Sequence, residues 1–565
     1  MSNRPTSPAT SPATAPVSSS GAASGTSIGV EAMPELTHRQ VLTVLTGLML
    51  GMLVAALSQT VVATALPTIV GELGGQDQLS WVVSATLLAS TASTPIWGKL
   101  SDLYGRKLMY QSAIWIFIAG SFAAGFSQNM AMLIGARTIQ GLGIGGLMSL
   151  GQAIIGDIVS PRERGRYQGY MGSAFGLATV LGPLIGGVIV EHLSWRWTFF
   201  VGIPIGLAAL IVTERVLQLP FPRREHKVDW WGATWIVAGV SSILLVLSLG
   251  GDAFAWKSGW TLTLAVLAVA FLALAVWQER RADEPIMPPH LFRNHTFVIC
   301  GIAGLAVGVA MFGAMIFLPQ YLQIVRGRSP MVSGLLTLPM MFGMIGAMTI
   351  SGRIITKTGR YKIFPVVGLL VLAVGLVLMS QLHADTSMVV TGVYMAITGI
   401  GIGMSMQVLV LATQNAVDRA DLGVATSGAT FFRSMGGAIG VAMFGALLRH
   451  ENASTIPDRI KEFKVPAEQL SGDNLSIGSP ADVAQLPDAL HNAVVNGFAD
   501  SMQVVFFSAA PFAILGFIVV LFLREQRLDT RKAEVVEPAG VADASLDPLE
   551  AADSDGVPQT ATALR

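Results

Sequence analysis

Gly98-Lys99-Leu100-Ser101-Asp102-Leu103-Tyr104-Gly105-Arg106 returns later in the chain as Gly352-Arg353-Ile354-Ile355-Thr356-Lys357-Thr358-Gly359-Arg360. Every matched pair is 254 residues apart, and both glycines and the closing arginine are the same. Each copy is a short basic turn between two long apolar stretches. The first joins the second and third stretches and the second joins the tenth and eleventh. An offset of eight fits two six-helix halves with two helices inserted between them. The alternative is chance recurrence of a Gly-x6-Gly turn, which has no reason to keep the same place and the same charge in both halves.

The composition agrees with a membrane setting. Of 565 residues, 52% are apolar and 12% charged, where a soluble domain carries about 25% charge. A spanning helix needs about 20 mostly apolar residues. Fourteen stretches qualify: 41–70, 79–98, 108–127, 129–156, 166–190, 197–218, 230–250, 260–278, 296–325, 331–356, 362–382, 388–414, 422–448 and 499–523. The residue alternation of a membrane barrel is absent. The 61 glycines suit close helix packing. Repeated halves around a central cavity are transporter architecture.

Lysine and arginine fix the expected orientation. With both termini on one side, that side holds 25 of the 35 basic residues and the other holds 8, while Arg137 and Arg433 fall inside stretches. The positive-inside rule then places both termini in the cytoplasm of a cell with this chain in its plasma (inner) membrane. The expected organisation is a disordered N-tail (1–38), a six-helix bundle (39–220), two inserted helices (228–280), a second six-helix bundle (294–525) with a long outer loop at 449–498, and a disordered acidic C-tail (526–565). The fold class is an all-α membrane protein with 14 transmembrane helices, its two bundles pseudo-symmetric.

The net charge of zero leaves no basic footprint for nucleic acid. The single Cys300 excludes a disulfide framework and a cysteine-based metal site, and the eight histidines lack ligand spacing. No metal or cofactor is called for, and no catalytic triad or nucleotide loop points to an enzyme.

Four motifs in order resemble the major facilitator superfamily. The 98–107 segment is similar to its signature loop, and Gly135-Ala136-Arg137-Thr138-Ile139-Gln140-Gly141-Leu142-Gly143 to its fourth-helix motif. Gly176 through Gly182-Pro183-Leu184-Ile185-Gly186-Gly187 is similar to the fifth-helix motif of its antiporter branch. Leu57-Ser58-Gln59-Thr60 running to Ala65-Leu66-Pro67, with Trp195-Arg196-Trp197 running to Pro204, resembles the fourteen-helix drug:proton antiporter subfamily. The resemblance covers about 41–525.

The resemblance implies that Gly98, Lys99, Asp102, Gly105 and Arg106, with Gly359 and Arg360 in the second copy, form a gating loop that locks one access state. Asp102 reads as a loop residue, and Asp157 would join its charge relay; the physical alternative is a set of topology anchors. A mid-membrane arginine costs about 2.5–3.5 kcal/mol, so Arg137 is functional by default. The resemblance gives it a part in proton coupling, against the alternative of capping carbonyls of the first helix. Gly182, Pro183, Gly186 and Gly187 combine a kink with close packing and read as a pivot or as packing alone.

No acid falls mid-membrane. The subfamily often has an aspartate at the position of Ser58, so coupling would run through Arg137 with end-of-helix acids such as Asp157 and Glu191, or the protein is not a simple proton antiporter. Cavity candidates are Gln59, Thr60, Gln140, Met315, Gln320, Gln323 and Arg433. The Met and Phe stripe that includes Met340, Met341 and Met344 reads as adaptable lining or as core. Gln414 and Asn415 either need partners or sit in water at a helix end. The expected function is outward export of small amphipathic organic compounds, drugs or toxic metabolites, by alternating access in exchange for protons, by a monomeric unit in the lipid bilayer. Rival readings are an exporter of a lipid or endogenous metabolite without simple proton coupling, and a non-transporting receptor or scaffold.

Overall fold

The computed structural model describes residues 38–74, 78–217, 228–249, 258–466, 483, 485–526 and 528. The expectations for both tails and for the middle of the 449–498 segment lie outside these residues. The described chain is all helical: α1 His38–Leu73, α2 Leu79–Tyr104, α3 Arg106–Gly125, α4 Met130–Ile158, α5 Arg164–His192, α6 Trp197–Phe200, α7 Gly202–Val216 and α8 Trp230–Leu249. There follow α9 Gly259–Glu279, α10 His295–Ile324, α11 Pro330–Leu336, α12 Leu338–Thr358, α13 Ile363–Met379, α14 Met388–Asn415, α15 Leu422–Glu462 and α16 Asp488–Leu521.

Counting α6 with α7 and α11 with α12, twelve described helices are long and apolar enough to cross a membrane. All fourteen apolar stretches fall on helices. The two outside the twelve are α2, whose face is rich in Ser and Thr, and α13, which is 17 residues long.

Local chemistry starts several of these helices. Asn129, Ser258, Asn294, Ser329 and Ser387 each accept a backbone N–H of the first turn with the side chain, which satisfies donors that an α-helix leaves orphaned. Glycines set the tightest crossings. A Cβ on Gly143 of α4 would stand 2.6 Å from the backbone nitrogen of Phe117 on α3, so only hydrogen fits there.

The helices pack in two groups. In the first, α1 lies on α5 and α7, and α4 lies on α2 and α3. In the second, α10 lies on α15 and α16, and α14 lies on α12 and α13. One large apolar core, from Cys300 to Leu528, belongs to the second group, and smaller cores between Val41 and Leu217 belong to the first. The pair α8–α9 packs on α2 and α15 through Ala92, Ile236, Val240, Ile286 and Phe431. Met340, Met341 and Met344 lie in the second group's core, so that part of the methionine stripe is packing.

Three expectations about segments need correction. The turn at 98–106 is mostly helix: α2 runs to Tyr104 and only Gly105, at φ +95°, separates it from α3. Asp102 is therefore in a last helical turn and not in a loop. The stretch 331–356 is broken at Thr337, just before Leu338-Pro339. Both flanks of the 449–498 segment are helical rather than loop, since α15 continues to Glu462 and α16 starts at Asp488. Hydropathy ends a segment where polar residues begin, whereas these two helices go on packing: Ile456 is buried against Gly497, and Arg459 pairs with Asp500 at 2.8 Å.

Candidate functional site

The 98–106 turn and its copy bring the two groups together at one end of the molecule. Arg106 is buried between two carboxylates, at 2.6 Å from Asp102 and 2.6 Å from Asp157 on α4, and its guanidinium also donates to the Ser101 hydroxyl. Asp102 reaches across to the second group, where its carboxylate accepts the Val424 N–H at 3.0 Å. That N–H lies in the first turn of α15, where free donors and the helix dipole favour an anion. Burial pushes the Asp102 carboxyl up to about 6; Arg106 pulls it down, and Asp157 adds to the rise. Lys99 pairs with Glu284 in the segment after α9, tying the inserted pair to the same end.

The second copy makes the reverse contact. Gly359, at φ +69°, ends α12 in the left-handed region that glycine occupies without strain. Here Thr356 stands in the place of Asp102, and the charge comes from the other group. Arg162 donates to the carbonyls of Thr356 and Lys357, both at 2.8 Å. Arg360, the counterpart of Arg106, is exposed.

Between these two contacts runs a seam of buried amides. Gln414 donates to the Gln152 carbonyl at 3.0 Å and to the Thr426 hydroxyl at 3.2 Å, and accepts from Gln168 at 3.4 Å. Arg164 donates to carbonyls of Gly156, Val159 and Gln414. The water-exposed alternative for Gln414 is thus corrected: it is 1% exposed, because α4 and α5 cover the end of α14. Gln168, Ser351 and Gln407 line a cavity of about 10 Å³, room for one water. Both amide ends of Gln407, the oxygen of Gln168 and the nitrogen of Gln152 have no partner among the described residues. Gln152, Gln168 and Gln407 escaped the sequence reading, although an amide inside an apolar stretch was the available signal.

Arg137 is 2% exposed. It donates to the Val82 carbonyl at 3.3 Å and to Gln140, which in turn donates to Ser121 at 2.7 Å. The carbonyl it holds therefore belongs to α2, not to α1. Gln140 is taken up by this α2–α3–α4 network. Glu191 is exposed at the end of α5, and the structure does not bring it to Arg137 or Asp157.

The α5 glycines pack on α1: a Cβ on Gly182 would overlap Thr60, and one on Gly186 would stand 2.9 Å from the Val61 carbonyl. Pro183 and Gly187 face α11, at Gly334 and Met331. The Thr60 hydroxyl donates to the Ala178 carbonyl at 3.2 Å, and Gln59 is half-buried beside it. On α10, Met315 is half-buried, Gln320 is exposed, and Gln323 donates to Ser333 at 3.2 Å. Arg433 is buried on α15 beside a second small cavity.

At the opposite end, Trp195 and Arg196 both donate to Glu72, each at 2.9 Å. The Trp195 N–H and then Arg196 hold the Glu72 carboxyl below the usual range. This pair fastens the turn after α5 to the end of α1.

The chain matches the Major Facilitator Superfamily over residues 48–441. An uncharacterised MFS-type transporter of Mycobacterium tuberculosis is 40% identical over 482 residues, 85% of this chain and 69% of that one. The multidrug transporter protein MdtP of Bacillus subtilis is 38% identical over 510 residues, 87% of this chain and 94% of its own. Among solved structures, the proton:xylose symporter XylE aligns over 86% of this chain and 96% of its own at a TM-score of 0.56 and 13% identity, a likeness of fold.

Proposed function

The chain belongs to the major facilitator superfamily, and from that membership we propose that it is a fourteen-helix exporter of amphipathic organic compounds working by alternating access. The observation that carries this reading is the junction at the Asp102 end. Two groups with separate apolar cores meet there through a carboxylate, backbone N–H and C=O groups, and amides. Such contacts exchange for water at little net cost, since a typical hydrogen bond is worth about 0.5–1.5 kcal/mol net. An apolar core would not part so readily.

The recurrence of the same pairings in both groups supports two pseudo-symmetric six-helix bundles, 39–220 and 294–525, with α8 and α9 inserted between them. The basic side of the sequence is the side of this junction, so the cytoplasmic end is the closed one in this state. Relatives named as multidrug transporters support export. Exchange for protons rests on Arg137 with the Asp102–Arg106–Asp157 cluster. The transporting unit is a monomer, with a plasma membrane location and both termini inside.

One observation favours a second reading. The Ser58 hydroxyl is buried without a partner among the described residues where the subfamily often carries an aspartate, and this suits export of a lipid or endogenous metabolite without simple proton coupling. Purified protein in proteoliposomes, given an imposed pH gradient and one cationic and one neutral fluorescent amphipath, separates the two. Flux that follows the gradient is the expected result. Flux indifferent to it removes antiport and leaves the second reading. An Arg137→Ala variant should lose the gradient dependence, and wild-type coupling in it would remove Arg137 from the mechanism.

A further inference from the structure

Five cations are buried among the described residues, and four of them are satisfied. Lys99 has Glu284, Arg106 has Asp102 and Asp157, Arg137 has Val82 and Gln140, and Arg164 has three carbonyls. The fifth is Arg433. It is 9% exposed, its Nη1 is fully enclosed without a partner, and its guanidinium meets no acceptor or acid among the described residues. A guanidinium does not shed its proton in a protein, and buried charges are otherwise paired. The sequence has an arginine here inside an apolar helix, and an intramembrane ionisable residue marks a functional site by default.

Arg433 lines a cavity of about 10 Å³ between α10, α14 and α15, together with Cys300, Gly304, Val307, Met406 and Leu409. The other walls are apolar or weakly polar, so nothing but the guanidinium would hold a polar guest. The space takes one water-sized acceptor, the size of one carboxylate oxygen. Mid-membrane carboxylates are absent from the sequence, so no side chain of the apolar interior competes for the cation.

We propose that Arg433 and this cavity form the subsite for a carboxylate head group on the transported compound, which makes amphipathic organic acids the preferred cargo. The assignment rests on the exporter reading for the word cargo, but the site itself is tested by binding. A guanidinium N–H donating to one carboxylate oxygen makes a charge-assisted bond, roughly twice as strong as a neutral one. A permanent cation is repelled from the same place.

The test uses purified full-length protein with 2-naphthoate and its neutral isostere 2-naphthamide, read by thermal unfolding and tryptophan fluorescence. Naphthoate should bind at least tenfold more tightly and alone raise the unfolding temperature, because a ligand that binds the native state stabilises it. Arg433→Met should raise the unfolding temperature of the ligand-free protein by removing an unpaired buried charge, and should abolish the naphthoate response. A structural arginine would do the opposite and lower it. Gly304→Val keeps the charge but fills the cavity, the nearest atom to a Cβ there being 3.8 Å away, and it should abolish the response as well. Equal binding of the acid and the amide overturns the proposal. So does a retained naphthoate response in Arg433→Met, or equal stabilisation by chloride alone, which would make the site one for a free anion. Failure of all flux in proteoliposomes with naphthoate binding intact would remove the exporter reading and leave the carboxylate site standing.

Discussion

Asp102 is placed to anchor the junction, and on the proposed reading it also senses pH. Its carboxylate holds Arg106 within its own group and the Val424 N–H in the other. Because burial has lifted it to about 6, it is charged above that pH and neutral below it. The contact to Val424 is charge-assisted only in the charged form, and such bonds are about twice as strong as neutral ones. Lowering the pH on that side from 7.5 to 5.5 should therefore loosen the junction. Spin labels at the exposed positions 104 and 419 should report a longer distance at pH 5.5. Asp102→Asn should show the longer distance at both pH values, and a wild-type pH response in that variant would exclude Asp102 as the sensor. The arginine was legible in the sequence because it recurs in both copies of the motif, and the acid because the first copy resembles the family's signature loop. Val424 was not, since 322 residues separate it from Asp102 and a backbone N–H leaves no mark in a side-chain pattern. Gln152, Gln168 and Gln407 were missed for a different reason: hydropathy averages an amide away inside a long apolar window.

Whole helices were legible because a membrane segment announces itself through length and apolarity alone. What that signal lacks is the information on where a helix stops. Asp102 fell outside its stretch because polar residues lower the hydropathy of a helix that continues to Tyr104, and the flanks of the 449–498 segment were misread in the same way. Packing partners were partly legible from small residues. Gly143 faces the α3 backbone closely enough that a Cβ would stand 2.6 Å from Phe117 N, whereas Gly135, two turns earlier on α4, has nothing within 4 Å of a Cβ. Overpacking a tight contact costs roughly 1–3 kcal/mol. Gly143→Ala should thus lower the unfolding temperature by several degrees, and Gly135→Ala should leave it unchanged or raise it slightly through better helix propensity. Equal behaviour of the two variants would mean that α3 and α4 do not meet as described.

Under the proposed alternating access some contacts of the molecule persist and others break, and the same substitution tells them apart. Gly352 on α12 lies against α5, where an added Cβ would stand 2.8 Å from the Gly165 carbonyl carbon. The steric demand is at least that at Gly143, but Gly143 joins helices of one group and Gly352 joins the two groups. Within a group the clash can be relieved only by disturbing a core. Between groups it can be relieved by parting them, a motion that alternating access already requires. A penalty of roughly 1–3 kcal/mol on one of two states moves their ratio by about 5- to 150-fold. Gly352→Ala should therefore lengthen the 104–419 distance at pH 7.5 while leaving the unfolding temperature close to wild type. Gly143→Ala should do the converse, losing stability with the distance unchanged. If Gly352→Ala instead unfolds the protein as Gly143→Ala does, the seam between α5 and α12 is part of a single core and the two groups do not move as separate bodies. That result would count against alternating access more directly than a failed transport assay, because it needs no knowledge of the cargo.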